Sequence, residues 1–222
     1  CSSDLSCHDA NVKAYLAINV IIYDDELSIL EEVVKKAKKA KIDAIICWDA
    51  SVINACKKFD VEFHISTQAS ISNFESVKHY SNLGASRLVL ARECTLEQIK
   101  IMKEKIVEEK LNVEIETFVH GAMCISVSGR CFLSQFIFCK SANRGECLQP
   151  CRRSYKIVDK ETGDELEVAN DYILSPKDMS TLSILDKLVI AGIDCFKIEG
   201  RMRSPEYVST VVSAYRKAID AF

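Results

Sequence analysis

From Val12 to Phe118, short apolar runs alternate with stretches whose apolar residues recur at helical spacing, the pattern of repeated strand and helix units around a parallel sheet. Ala14 to Ile22 reads as a buried strand. Asp25 to Ala40 reads as a surface helix, because Leu27, Leu30, Val33, Val34 and Ala37 fall at helical intervals while glutamates and lysines take the other positions. The cycle repeats with strand Asp43 to Cys47 and helix Ser51 to Phe59, then strand Val61 to Ile65 and helix Asn73 to Leu83, which Gly84 closes. Strand Arg87 to Leu90 follows, then helix Thr95 to Glu109, with Thr95 as N-cap and Glu97 and Gln98 in its first turn. Strand Val113 to Phe118 ends the series.

The pattern breaks at His120, and a Cys- and Gly-containing stretch without clear periodicity runs to Arg153. Loops of that length inside a compact domain are usually functional. Ser154 to Ala169 has the alternation of a hairpin turning at Glu161-Thr162-Gly163-Asp164. The unit structure then resumes with helix Met179 to Ala191, Gly192 as its stop, strand Asp194 to Ile198, and helix Pro205 to Ala221 capped by Ser204. Three segments result: βα units over 1–118, an inserted Cys-rich loop and hairpin over 119–170, and final βα units over 171–222.

Such a series fits an open doubly wound sheet or a closed barrel. Polar residues just after successive strands favour the barrel: Asn19, Gln68, Arg92 with Glu93, Glu116 with His120, and Glu199 with Arg201. A ring of this kind is what an active site at the C-terminal rim requires. The expected fold class is therefore α/β, a TIM-like (β/α) barrel with a Cys-rich loop and β-hairpin insertion. At about 30 residues per unit, roughly two βα units are expected to be missing at the N-terminus, making the barrel incomplete. An opening at Cys1 rather than methionine fits that expectation. The open edges left behind suit an oligomeric partner.

Composition narrows the class. With 48% hydrophobic and 27% charged residues the chain is that of a globular protein, and a net charge of −3 excludes coating nucleic acid by bulk charge. Any RNA contact has to be local. No run approaches the roughly 18 to 20 apolar residues of a membrane span, so no membrane association is expected and the expected location is the cytoplasm. Eleven cysteines in a chain able to build a core without staples argue against a disulfide framework. Cys47, Cys56, Cys94 and Cys195 sit in apolar or amphipathic segments, where thiols act as small buried hydrophobes.

Cys124, Cys131, Cys147 and Cys151 differ, being spaced Cys-x6-Cys-x15-Cys-x3-Cys within the irregular loop. Four thiolates in such a loop suit zinc or an iron–sulfur cluster, since both take soft anionic ligands. Zinc sites favour tight knuckle pairs, which only the second pair approaches, so the wider spacing suits a 4Fe-4S cluster better than zinc. Ordinary thiols or a disulfide are the plain alternatives, and Cys139 in the same loop can replace one of the four.

The stretches Glu116-x-Phe118-x-x-Gly121-Ala122-x-Cys124 and Gly129-x-Cys131-x-x-Ser134 resemble the signature of peptidase family U32. Gln68-Ala69-Ser70, Leu88 to Glu93, Asn143-Arg144-Gly145, Ser175-x-Lys177-Asp178, Phe196 to Arg201 and Pro205-x-Tyr207 resemble stretches of the same family in the same order. The resemblance implies a TIM-like barrel and a 4Fe-4S cluster on the four cysteines. It also implies one of two activities: hydroxylation of a tRNA or rRNA nucleobase, with prephenate as a candidate co-substrate, or the peptidase activity that gave the family its name.

No protease kit is visible, neither a His-Glu-x-x-His pair nor a Gly-x-Ser-x-Gly elbow. His120, Glu116, Lys197, Glu199 and Arg201 are the candidate catalytic residues, each close to a strand end or the Cys loop. Asn19, Gln68, Arg92, Arg130, Arg144 and Lys177 are candidate substrate-binding residues, since guanidinium and ammonium groups suit a small carboxylate ligand or an RNA backbone. Each has a bland counterpart: a salt bridge to a neighbouring glutamate, or a rim hydrogen bond. The expected function is an iron–sulfur protein acting in tRNA or rRNA hydroxylation, with a peptidase-type hydrolase or a non-catalytic metal-bearing scaffold as alternatives.

Overall fold

The computed structural model describes residues 7–222 apart from Gly129 and Ala169, so Cys1 and those two positions lie outside the described residues. Five strands alternate with four helices in chain order. They comprise β1 (Tyr15–Ala17), α1 (Leu27–Lys39), β2 (Ala44–Cys47), α2 (Ala50–Lys58), β3 (Phe63–Ile65), α3 (Phe74–Asn82), β4 (Arg87–Val89), α4 (Leu96–Glu108) and β5 (Glu114–Gly121). An insertion follows, with the short helix α5 (Leu133–Phe138) and the antiparallel hairpin β6 (Ile157–Val158) and β7 (Glu165–Leu166). The chain ends with β8 (Met179–Ser180), α6 (Leu185–Ile190), β9 (Cys195–Ile198) and α7 (Pro205–Asp220).

The strands β1 to β5 lie side by side in sequence order, all parallel, and β9 continues the parallel series on β5. A doubly wound sheet reverses its strand order at a switch point; this one never does. The architecture is thus singly wound, an incomplete TIM-like barrel. Burial explains why its strands read as continuous apolar runs. Ile45, Ile65, Leu88 and Ile115 from neighbouring strands meet Val34, Val52 and Val77 from the helices, all at 0% exposure. Local signals place the helices: Thr95 and Gln98 form a complete capping box, Asp49 and Asn73 cap α2 and α3, and Ser204 accepts from the Tyr207 amide ahead of α7. Among the described residues no helix is long and apolar enough to cross a membrane.

Three elements differ from the sequence expectation, each because a tertiary partner claims the backbone. The strand read over Ala14 to Ile22 pairs only at Tyr15–Ala17, since the Ile21 amide turns away to the carbonyl of Asn143 in the Cys-rich loop. The helix read over Met179 to Ala191 begins only at Leu185. Met179–Ser180 pair antiparallel with His120 and Gly121, and the Thr181 amide is taken by Val119 and the Tyr215 hydroxyl. Conversely, β5 extends beyond Phe118 to Gly121 because β9 and β8 both pair with that extension.

Candidate functional site

The C-terminal ends of the strands carry polar side chains into the sheet's concave mouth. Asn19 follows β1, Ser66 and Gln68 follow β3, Arg92 follows β4, and Lys197 and Glu199 end β9. The Asn19 amide donates to the Ser66 hydroxyl at 3.2 Å, Ser66 donates to the Gln68 side-chain oxygen, and the Trp48 indole donates to the Asn19 carbonyl at 3.2 Å. Deeper in the sheet, buried Glu116 takes the Lys197 ammonium at 3.0 Å and an Arg87 nitrogen at 3.5 Å. Arg92 lies 3.7 Å from the centre of the Phe118 ring, and Lys197 is 5.5 Å from it. Burial pulls the Arg92 guanidinium down, against the opposing pull of Glu199, Cys124 and Glu93, and its Nε is buried with no hydrogen-bond partner among the described residues. A buried cation with an unused donor at a cavity wall suits an anionic ligand.

The register of β5 against β9 slips between Phe118 and His120, so one residue is extra on β5. Such a bulge passes the inward position on by one residue. His120, expected beside the cysteine loop, therefore packs its ring against Tyr215 and Tyr207 of α7, with the Tyr215 hydroxyl 3.4 Å from Nδ1. It lines neither cavity described below.

Four polar anchors fasten the irregular loop to this mouth. Ser128, 1% exposed, gives its amide and hydroxyl to the Glu93 carboxylate at 3.0 Å each, and its carbonyl accepts from Ser70. Burial opposes ionisation of Glu93, but these bonds and the Arg92 charge hold its carboxyl below the usual range. Ser134, at 0% exposure, accepts from the Leu148 amide and donates to the Glu146 carbonyl, bracketing Cys147. Arg152 donates to the carbonyls of Met123 and Pro176 and to the Ser175 hydroxyl, tying the Cys124 and Cys151 segments together. Arg144 forms a two-pronged pair with Glu26 at 2.5 and 2.7 Å and donates to the Ile21 carbonyl.

The last anchor has a pH signature. The Arg144 hydrogen bonds, aided by the Tyr23 amide, lower the Glu26 carboxyl from 4.5 to about 2. A depressed folded-state value stabilises above the unfolded value and is lost as pH falls through the folded one. Glu26→Gln is therefore expected to lower the melting temperature at neutral pH, with the gap closing between about pH 4.5 and 2. Melting curves across that range check this, and a gap independent of pH would count against it.

All four cysteines of the expected ligand set line one cavity of about 430 Å3, together with Asn19, Gln68, Arg92, Arg130, Lys197, Glu199 and Arg201. A neighbouring cavity of about 500 Å3 shares Arg92, Cys124, Cys147, Cys151, Glu199 and Arg201, and adds Tyr172 and Arg203. The loop's thiols, Cys139 included, are free in this structure. Burial raises the Cys151 thiol, Arg152 opposes this, and Cys124, Cys147 and Cys131 add to the rise, so all four sulfurs share one electrostatic neighbourhood. Among the described residues no three His, Cys, Asp or Glu side chains lie at the spacing of a single bound ion.

Of the residues expected at the site, Lys177 is exposed and away from both cavities, and Arg144 serves as an anchor. Glu116 lies below the cavity, beneath Lys197. Cys139, in a left-handed conformation after α5, lines neither cavity. Sequence reasoning passed over Ser66 and Ser128, and met Ser134 only as part of the family signature, with no role attached. Single serines in irregular segments carry no signal that distinguishes a buried anchor from a solvated hydroxyl.

Comparison with known proteins agrees with the geometry. The model of peptidase family U32 matches residues 5–222. A collagenase of Porphyromonas gingivalis is 45% identical over 97% of this chain and 53% of its own length. A tRNA hydroxylation protein of Bacillus subtilis is 39% identical over 95% of this chain and 50% of its own length. A 23S rRNA 5-hydroxycytidine synthase of Escherichia coli is 34% identical over 96% of this chain and 32% of its own length. The chain spans about half the length of the curated relatives it matches, and less of the last. A solved U32 peptidase structure superposes with a TM-score of 0.51 over 90% of this chain and 74% of that one; at 13% identity this likeness speaks for the fold alone. With the family model covering nearly every residue and relatives at 39 and 45% identity, the chain belongs to peptidase family U32.

Proposed function

We propose that this protein carries a 4Fe-4S cluster on Cys124, Cys131, Cys147 and Cys151 and acts in hydroxylation of a nucleobase in tRNA or rRNA. The observation that carries the reading is four free thiols of one loop lining a single cavity together with Arg92, Lys197, Glu199 and Arg201. The donor set is all sulfur, which suits iron–sulfur chemistry. Such a cluster supplies one-electron transfer. The chain's own part is to hold substrate beside it: Arg92 and Arg201 are placed to grip a carboxylate or phosphate, a prephenate-like acid included, and Asn19 and Gln68 offer neutral hydrogen-bonding groups. Glu116 holds the Lys197 ammonium at the floor of the cavity. Two relatives named for tRNA and rRNA hydroxylation support the substrate class.

The collagenase name of another relative keeps peptidase activity as the competing reading. A cysteine peptidase needs a base in reach of its thiol. The chain's histidines are engaged elsewhere: His8 at Asp43, His64 buried beside Glu62, His79 against Tyr80 and His120 against Tyr215. The test is a deletion strain of the source organism whose total RNA is digested and read by mass spectrometry. Loss of one hydroxylated nucleoside, restored by the gene, is the expected result; an unchanged nucleoside profile would overturn the RNA reading.

A further inference from the structure

The face of α5 that points away from the cavity carries two aromatic rings in water. Phe132 is 70% exposed and Phe136 is 89% exposed, and the Phe136 amide bonds the Phe132 carbonyl, so the two rings emerge one helical turn apart on the same side. Ser134, on the opposite side of the same turn, is fully buried, and Leu133, between the two sides, lines the cysteine cavity. Nothing in the packing of the described residues uses the two phenylalanines. Large rings left this exposed mark an interaction site rather than a core.

Charge says what kind of surface the rings belong to. Between His120 and Arg153 the loop carries Arg130, Lys140, Arg144, Arg152 and Arg153 against Glu146 alone, in a chain whose net charge is −3. Arg144 and Arg152 are spent on anchoring and Lys140 is paired with Glu146, whereas Arg130 and Arg153 form no ion pair among the described residues. Arg130 lines the cavity, and Arg153 lies 4.6 Å from the centre of the Phe138 ring on the same helix. Flat apolar faces in the same loop as unneutralised guanidinium groups are complementary to unpaired bases on a phosphate backbone.

We infer that Phe132 and Phe136 form a stacking platform for unpaired bases of a single-stranded RNA segment, with Arg130 and Arg153 meeting its phosphates. Leu133, next to Phe132 in the chain, lines the cavity, so a strand held on the platform delivers a neighbouring, splayed-out nucleotide toward its rim. Unpaired rather than duplex RNA is the ligand, because only splayed bases offer ring faces to stack on. This deepens the RNA-directed reading proposed above and rests on it.

The test is binding of a fluorescent single-stranded oligouridine and of a blunt RNA duplex to the full-length protein, purified without oxygen and followed by anisotropy. Phe132→Ala with Phe136→Ala is expected to weaken single-strand binding about 10- to 100-fold, whereas Phe136→Tyr retains it, since a tyrosine ring stacks equally well. Arg130→Gln is expected to lower the salt dependence of binding by about one counterion. Both phenylalanines are exposed, so far-ultraviolet dichroism should be unchanged in the variants. Equal affinity of the double variant and the wild type overturns the platform, and so does tighter binding of the duplex. Phe136→Leu matching the wild type also overturns it, because an apolar protein partner rather than a base then fits the surface. Phenylalanine-dependent binding with an unchanged nucleoside profile in the deletion strain would sustain the platform and defeat the hydroxylation reading, so the two failures are separable.

Discussion

Replacing Cys147 or Cys151 by serine is expected to remove more than half of the iron and inorganic sulfide that the protein retains when purified without oxygen, while Cys139→Ser leaves both unchanged. The reasoning is local. Cys151 lies inside the one-turn helix Pro150–Arg152 and Cys147 three residues before it; both line both cavities, and the Ser134 and Arg152 hydrogen bonds fix the backbone beside them. Cys139 lies in the same loop but outside either lining, so it serves as an internal control for thiol number. A hydroxyl is a poor ligand to iron beside three thiolates, and loss of one corner destabilises the whole group. The wild type should hold about four irons per chain. Iron and sulfide assays decide the matter: full iron content in both variants, or zinc at about one per chain in the wild type, would remove the basis of the proposed redox role.

The second large effect is expected at Gly121. Its φ of +108° lies in the left-handed region, and a Cβ there would collide with the Glu199 carbonyl oxygen and come within 2.9 Å of the Glu199 Cβ. Neither group can yield easily, because the carbonyl belongs to the backbone just beyond β9 and the Glu199 amide is held by the His120 carbonyl at 2.8 Å. Gly121→Ala is therefore expected to cost about 2 to 4 kcal/mol and to displace Glu199 and Arg201 from the cavity wall. Gly163→Ala provides the comparison. It also has positive φ, at +82°, but nothing lies within 4 Å of the added methyl, so only the backbone term of about 1 to 2 kcal/mol remains. Urea unfolding of the two variants separates collision from backbone strain, and equal midpoints would show that the close approach of β5 and β9 costs nothing.

The same crossing of β5 and β9 marks where pattern reading stopped working. Up to Phe118 each strand is a short apolar run and each helix a spaced one, and the structure follows both with ends shifted by a residue or two, except that the first strand stops at Ala17 rather than Ile22. Beyond it, the backbone answers to distant partners. His120 drew notice because it directly precedes the cysteine loop, and one extra residue in β5 sends its ring to the tyrosines of α7 instead. Met179 to Ala191 has helical spacing, yet its first residues complete the sheet beside β5, since the edge of a strand claims their backbone before a helix turn can. Arg144, a plausible ligand-gripping residue by chemistry, is spent on Glu26, far from it in sequence.

Local periodicity and capping residues determined the α/β class, polar residues after successive strands favoured the barrel over a doubly wound sheet, and the crowding of four cysteines in an aperiodic loop marked the segment in which to seek chemistry. Those signals depend only on neighbours along the chain, so they survive without knowledge of the fold. That the four thiols face one cavity, that Arg92 keeps an unused donor there, and that Phe132 and Phe136 stand in water were decided by tertiary structure alone. Each depends on a strand bulge, a buried serine or a salt bridge between residues far apart in the chain, and spacing along a sequence holds no measure of such encounters.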